Sequence, residues 1–243
     1  SRAIGIHPPG LDALDAAGVG DAVRREALAL QGGDVVSRGR TLAAIDFPSD
    51  RPVLTLAQQR MDALLRARLQ AQDAGAVQWG SAVGALVDEG SRVRVLTDDG
   101  RGAGESTARF VVVADGVHSP LRSALGMRWR RRPGQGDYSM IDIDDADAGD
   151  RATLFCEPAG LVESFPLPNG RRRWVARRRV GDEVETAEGF ADTVERRVGI
   201  RPEVPCGERP STFRATQHLA DRFVRGRIAL IGDAAHEVSP IGG

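Results

Sequence analysis

Two short apolar runs, each cut off by a glycine beside an aspartate, constrain the fold more than any other feature of the chain. Phe110-Val111-Val112-Val113-Ala114 is continuously apolar and rich in β-branched residues, and it stops at Asp115-Gly116. Ile228-Ala229-Leu230-Ile231, after Arg227, stops at Gly232-Asp233. A strand with one wet face alternates apolar and polar residues, so unbroken runs suit strands buried on both faces of a layered α/β sheet. Open α/β sheets bind ligands at the carboxyl edge of their strands. A carboxylate there can accept hydrogen bonds from ligand hydroxyls, and glycine lets the backbone come close. Each Asp/Gly pair taken singly is equally a chain reversal.

The rest of the chain alternates helical and extended patterns. Pro8 and Pro9 open a short helix that Gly18 closes. Residues 32–55 are punctuated by Gly, Pro and Asp, with Leu42 to Phe47 as a strand. Met61, Leu64, Leu65 and Leu69 recur at helical spacing. Val77 to Trp79, Val83 to Val87 and Arg92 to Thr97 read as successive strands. Beyond Gly126 the segments are shorter and more alternating: Thr153 to Cys156, Leu161 to Leu167, and Arg173 to Val180 after a hairpin turn at Pro168-Asn169-Gly170. One helix interrupts them, with Thr186 as N-cap and Phe190, Ala191, Val194 and Val198 on one face.

Composition narrows the chemistry. Across 243 residues, 33 basic side chains balance 34 acidic ones, and all 33 are Arg. No lysine is available to form a Schiff base or to serve a Walker loop. The near-zero net charge disfavours a dedicated nucleic-acid or membrane-surface protein. The arginine runs at 128–132 and 171–179, with Trp129 and Trp174 among them, could form a nucleic-acid surface. The five aspartates from Asp142 to Asp150 lie between the runs, so pairing across a sheet is the favoured use. Cys156 and Cys206 suggest neither a disulfide framework nor a metal site, and a reducing, cytoplasmic location is expected. No apolar run approaches the ~20 residues of a membrane span.

Four segments in order carry a family resemblance. Asp115-Gly116-Val117-His118-Ser119-Pro120-Leu121-Arg122 resembles the DG motif, and Gly232-Asp233-Ala234-Ala235-His236 through Pro240 to Gly243 the GD motif, of the flavoprotein monooxygenases related to para-hydroxybenzoate hydroxylase. Residues 57–65, Ala-Gln-Gln-Arg-Met-Asp-Ala-Leu-Leu, look like the family's Pro-Gln-Ser-Arg-Thr-Glu-x-Leu-Leu segment, and residues 1–6 like its arginine-bearing loop. Ala57, Met61 and Asp62 depart from that pattern. The resemblance implies an α/β fold with α+β elements, in which an incomplete, Rossmann-like FAD-binding layered sheet accompanies a β-sheet-rich substrate domain. Residues 1–126 and 227–243 are expected in the FAD-binding part and 127–226 in the substrate part.

The resemblance also implies roles. Asp233 would hold the ribityl chain of FAD, and Pro240, Gly242 and Gly243 would bring backbone toward the isoalloxazine edge. Gln58 would contact the ribityl or phosphate region, and Arg2 and Arg60 would neutralise pyrophosphate. Asp115 and Gly116 would engage FAD and the nicotinamide nucleotide, or Asp115 would instead fix its own loop. His236, after two alanines, reads as a helix-packing residue; His7, His118 and His218 show no partner. No side chain is named as acid, base or metal ligand. The implied activity is NAD(P)H-dependent hydroxylation of a small aromatic or polyketide-like substrate by dioxygen, through a flavin C4a-hydroperoxide. A reductase or halogenase of the same fold, or a non-catalytic binding domain, are the alternatives; halogenases of this scaffold use an active-site lysine. The family's opening Gly-x-Gly-x-x-Gly unit does not occur, so the residues are expected to be an interior portion of a longer polypeptide, the other reading being a flavin-free homologue.

Overall fold

The computed structural model describes residues 3–100, 102–145 and 149–238. Its order begins β1 (Gly5–Ile6), α1 (Pro8–Ala16), α2 (Gly20–Glu26), β2 (Leu28–Leu30), β3 (Gly32–Ser37), β4 (Arg40–Asp46), β5 (Val53–Thr55) and α3 (Gln58–Gln72). Then come β6 (Ala82–Asp88), β7 (Val93–Asp98), β8 (Ala103–Ala108), β9 (Val111–Val113), α4 (Pro120–Ala124) and the long β10 (Trp129–Asp144). The chain continues through β11 (Arg151–Glu157), β12 (Gly160–Leu167), β13 (Arg171–Arg177), α5 (Ala187–Val198), β14 (Ser211–Ala220), β15 (Val224–Arg225), β16 (Ile228–Leu230), a 3₁₀ turn at Gly232–Ala234 and β17 (His236–Glu237). The fold is mixed α/β and sheet-rich. Its described residues group into two compact units, 3–74 with 136–214 and 75–135 with 215–238. β10 and β14 each pass from one unit into the other.

The first unit is organised around a sheet in which β10, β13, β12, β11, β3 and β4 are successive neighbours. β3 and β4 fall within residues 1–126, yet they extend the sheet built from strands of 127–226: β3 lies parallel to β11, Val35 opposite Leu154. The expected hairpin joins β12 to β13, with Asn169 and Gly170 both in the left-handed region (φ 65° and 64°). Asn and Gly reach that region at lowest cost. The second arginine run meets the aspartate run across β10 and β13, where Asp142 lies opposite Arg173 and Asp144 opposite Arg171, while Arg128 of the first run bonds Asp221 instead, at 2.9 Å. Arg173 bonds Asp142 at 2.6 and 2.8 Å, and Arg172 reaches Asp145 at 2.7 Å.

α5 covers one face of this sheet. The Thr186 hydroxyl accepts from the Gly189 amide at 3.1 Å, and Gly199 closes the helix with φ 73°. Phe190 and Val194 are fully buried against Val162, Trp174, Phe155 and Ile141. Each such side chain contributes roughly 1.5–3 kcal/mol of transfer free energy. A smaller layer of β1, β5 and β2 packs with α1 and α2 through Leu11, Val23, Leu54 and Leu56. Met61 and Leu64 of α3 lie against this cluster, whereas Leu65 and Leu69 stay exposed, so α3 buries a narrower stripe than its spacing predicts.

The second unit holds the antiparallel sheet β6-β7-β8 and the three-stranded sheet β15-β16-β9. In the first of these, Asp88 and Asp98 each accept the amide of the glycine two residues on, at 2.8 Å, which sets the two tight turns. Two expectations need correction. Val77 to Trp79 form no strand; β6 starts only at Ala82, after Gly80 turns the chain with φ 76°. The apolar run at 110–114 gives a strand of three residues, not one buried on both faces. Val113 packs with Ile228, Leu230, Leu121 and Met127, while Phe110 is 64% and Val112 59% exposed. The core lies on the Val113 side only, and alternation turns Val112 away from it.

One buried side chain stands apart. Glu163, in the middle of β12, is 2% exposed, and its Oε1 has no hydrogen-bond partner among the described residues. Burial pushes its carboxyl up from 4.5 to about 7. Folded protein therefore keeps a proton that unfolded chain has lost between those values, so this group costs stability as pH rises through that window. Replacing Glu163 by Leu should remove that cost. In denaturant titrations the stability of the variant relative to wild type should rise by about 3 kcal/mol from pH 4.5 to 7 and then level off.

Candidate cofactor-binding site

The two Asp/Gly turns are brought side by side by a parallel strand pair. β9 and β16 run in register, Val111 opposite Ile228 and Val113 opposite Leu230, and the Ile231 amide continues the ladder to the Val113 carbonyl at 3.0 Å. Both chains then leave the same edge through a glycine with positive φ, 85° at Gly116 and 55° at Gly232. A Cβ built at either glycine meets nothing within 4 Å, so the turns need glycine for backbone freedom and leave open space beside it. The Asp233 carboxylate is exposed at this edge.

Asp115 is part of its own loop. Its Oδ2 accepts the Leu121 amide at 3.3 Å, Ser119 N-caps α4 by accepting the Arg122 amide at 2.9 Å, and the Ser119 amide returns to the Gly116 carbonyl at 3.1 Å. Arg122 then joins the two motifs. Buried to 4% exposure, it donates to the Val117 carbonyl at 2.9 Å and to the Ala234 carbonyl at 3.0 Å, with its guanidinium 3.8 Å from the Trp129 ring centroid. Burial lowers its pKa from the usual arginine value, and the nearby Asp115 charge opposes that. Arg122 was visible in the sequence only as the end of a motif. Neither periodicity nor composition marks a buried guanidinium bridging turns more than a hundred residues apart.

Behind Arg122, Trp129 stacks on His218 with ring centroids 5.2 Å apart. His218 Nδ1 lies 2.8 Å from Glu237 Oε2, which also accepts the Thr216 hydroxyl at 2.6 Å. His218 thus has the partner that the sequence did not reveal. His236 is not a helix-packing residue: it lies exposed in β17, opposite Leu219, because the chain after the 3₁₀ turn extends rather than coils.

The first unit holds Gln58 and Arg60, both in the opening turn of α3. Arg60 forms a two-pronged pair with Glu26, both bonds 2.8 Å, so its charge already has a carboxylate neighbour. Arg2, Pro240, Gly242 and Gly243 lie outside the described residues. Among the described residues no cluster of three His, Cys, Asp or Glu side chains could hold a metal ion, and no helix is long and apolar enough to cross a membrane.

Residues 1–243 match the family model described as FAD binding domain, and the chain belongs to the FAD-binding monooxygenase family of para-hydroxybenzoate hydroxylase-like enzymes. It is 31% identical to 6-methylpretetramide 4-monooxygenase of Streptomyces rimosus over 258 residues, covering 100% of this chain and 45% of that protein. With a 3-(3-hydroxy-phenyl)propionate/3-hydroxycinnamic acid hydroxylase of Burkholderia cenocepacia (strain HI2424) it shares 35% identity over 159 residues, 63% of this chain and 29% of the relative. Among solved structures, OxyS anhydrotetracycline hydroxylase from Streptomyces rimosus matches 100% of this chain and 50% of its own at 26% identity and TM-score 0.70. The p-nitrophenol 4-monooxygenase PnpA from Pseudomonas putida DLL-E4 shares the fold, with TM-score 0.81 at 22% identity over 100% of this chain and 65% of its own. The chain spans about half the length, or less, of the curated relatives it matches.

If Arg122 holds the two turns together, Arg122→Met should lower the unfolding free energy by about 3 kcal/mol, through two lost charged hydrogen bonds and two stranded carbonyls. Arg122→Lys should recover little of it, since one ammonium cannot span both carbonyls in the guanidinium's planar geometry. Urea unfolding followed by Trp fluorescence measures both.

Proposed function

We propose that the protein is an FAD-dependent monooxygenase that uses NAD(P)H and dioxygen to hydroxylate a small aromatic or polyketide-like substrate. The observation that carries this reading is the pair of positive-φ glycine turns, Gly116 and Gly232, side by side at the end of parallel β9 and β16 with an exposed carboxylate beside them. Open space at both glycines fits a ligand lying against backbone, and Asp233 fits an acceptor for a polyol chain. In this reading residues 1–126 and 227–243, in a Rossmann-like arrangement, bind FAD and residues 127–226 bind substrate, with β3 and β4 joining the substrate sheet.

Asp233 then accepts hydrogen bonds from the ribityl hydroxyls, and Gly116 admits the cofactor or the nicotinamide nucleotide. Asp115 acts chiefly by holding its loop through Leu121. Gln58 contacts the ribityl or phosphate region. Arg2 and Arg60 supply positive charge to the pyrophosphate, Arg60 while tethered to Glu26. Backbone at Pro240, Gly242 and Gly243 approaches the isoalloxazine edge, where an amide donor stabilises developing negative charge. FAD, when bound, supplies the redox chemistry, taking electrons from NAD(P)H and passing them to dioxygen. The chain's own part is to bind, orient and exclude water. The substrate class follows the relatives, among them a 6-methylpretetramide 4-monooxygenase and an anhydrotetracycline monooxygenase.

Equilibrium flavin titration of the full polypeptide should show Asp233→Ala weakening FAD binding about tenfold or more, the scale of a lost charged hydrogen bond, and Asp115→Ala weakening it less. The reverse order would overturn these roles. Substrate-stimulated NADPH oxidation should consume one dioxygen per NADPH and yield hydroxylated product; NADPH oxidation without oxygen uptake would exclude the monooxygenase reading.

A further inference from the structure

Among the described residues, Glu163 is the one acid of the substrate sheet buried with an unpartnered carboxyl oxygen. The strand registers place Met140, Val175, Glu163, Leu154 and Val35 in one transverse row across β10, β13, β12, β11 and β3. Four apolar side chains thus flank a single carboxyl. The row lies on the face turned away from α5, because the neighbouring Val162 points into the α5 cluster and successive residues of a strand alternate. Arg173 and Arg177 flank Val175 on this face of β13; Arg173 is committed to Asp142 through Nε at 2.6 Å and Nη2 at 2.8 Å, and the Arg177 side chain is exposed. Phe165, the next residue on the same side of β12, packs with Leu30, Val53 and Ala152, which bring no charge. Met140, Val175 and Glu163 are buried, and the row becomes half-buried toward Leu154 and Val35.

A buried carboxyl oxygen without a donor is costly, and replacement by an apolar side chain of similar size would remove the cost. Its presence among apolar neighbours on the face turned away from α5 makes sense when the missing donor arrives with the ligand. We infer that Glu163 is a specificity-determining residue that accepts a hydrogen bond from a hydroxyl of a neutral aromatic or polyketide-like substrate. This rests on the monooxygenase reading and assigns that site a contact. The flanking row receives the apolar ring system, and a ligand with no donor there, such as an ether in place of the hydroxyl, leaves the Oε1 acceptor unmet.

The test compares 2-naphthol with its methyl ether, 2-methoxynaphthalene, by equilibrium dialysis against the flavin-loaded full polypeptide as wild type, Glu163→Leu and Glu163→Gln. Wild type should bind the naphthol about tenfold or more tighter than the ether. Glu163→Leu should bring that ratio to about one by weakening the naphthol alone, and Glu163→Gln, which keeps an acceptor oxygen, should retain most of it. Equal binding of the two probes to wild type, or an unchanged ratio in Glu163→Leu, would overturn the inference. So would a ligand-free Glu163→Leu protein that melts below wild type or fails to fold, since the carboxyl would then be supporting the fold through a partner inside it. Wild type that takes up no FAD refutes the monooxygenase reading and this role together. Wild type that takes up FAD but shows no hydroxyl preference refutes only the role of Glu163.

Discussion

The candidate site depends on one buried guanidinium. β9 and β16 are three residues each, too short for ladder hydrogen bonds alone to fix the turns that follow them. Arg122 donates to a carbonyl of each turn from within a nearly dry environment, where a charged hydrogen bond is stronger than in water and a lost one costs more. The Trp129 ring covers the guanidinium face, and His218, Glu237 and Thr216 hold that ring from behind. The geometry of Asp115, Gly116, Gly232 and Asp233 therefore rests on residues that touch no ligand in the proposed function.

The sheet of the first unit solves a different problem. Its arginines and aspartates are placed opposite one another on β10 and β13, so charge that would otherwise repel along each strand is compensated across them. α5 seals one face with Phe190 and Val194 and is itself pinned by Arg197, which bonds Asp182 at 2.5 Å and the Arg177 carbonyl at 2.7 Å. The other face carries an apolar row interrupted by Glu163.

Much of this organisation was legible locally. The Thr186 cap, the Pro8 helix start, the Pro168-Asn169-Gly170 hairpin and the two Asp/Gly strand ends rest on nearest-neighbour chemistry, and each appears where the residues place it. The compensation of the arginines at 171–173 by the aspartates was also legible from their opposite charge, whereas the pairing of Arg128 with Asp221 was not. The failures share a cause. Val77 to Trp79 satisfied a propensity that no neighbouring strand completed, and the run at 110–114 was apolar throughout although its core lies on one side only.

The sequence by itself determined the family, the motif order and the residue types at each turn, since these depend on identity and short-range spacing. Only the tertiary structure decided which distant groups meet. It placed Arg122 between two loops, drew β3 and β4 into the sheet of β11 to β13, gave His218 a carboxylate and left Glu163 buried with Oε1 unpaired. Each of these depends on strand register and chain crossing, where a shift of one residue would send every side chain to the opposite face.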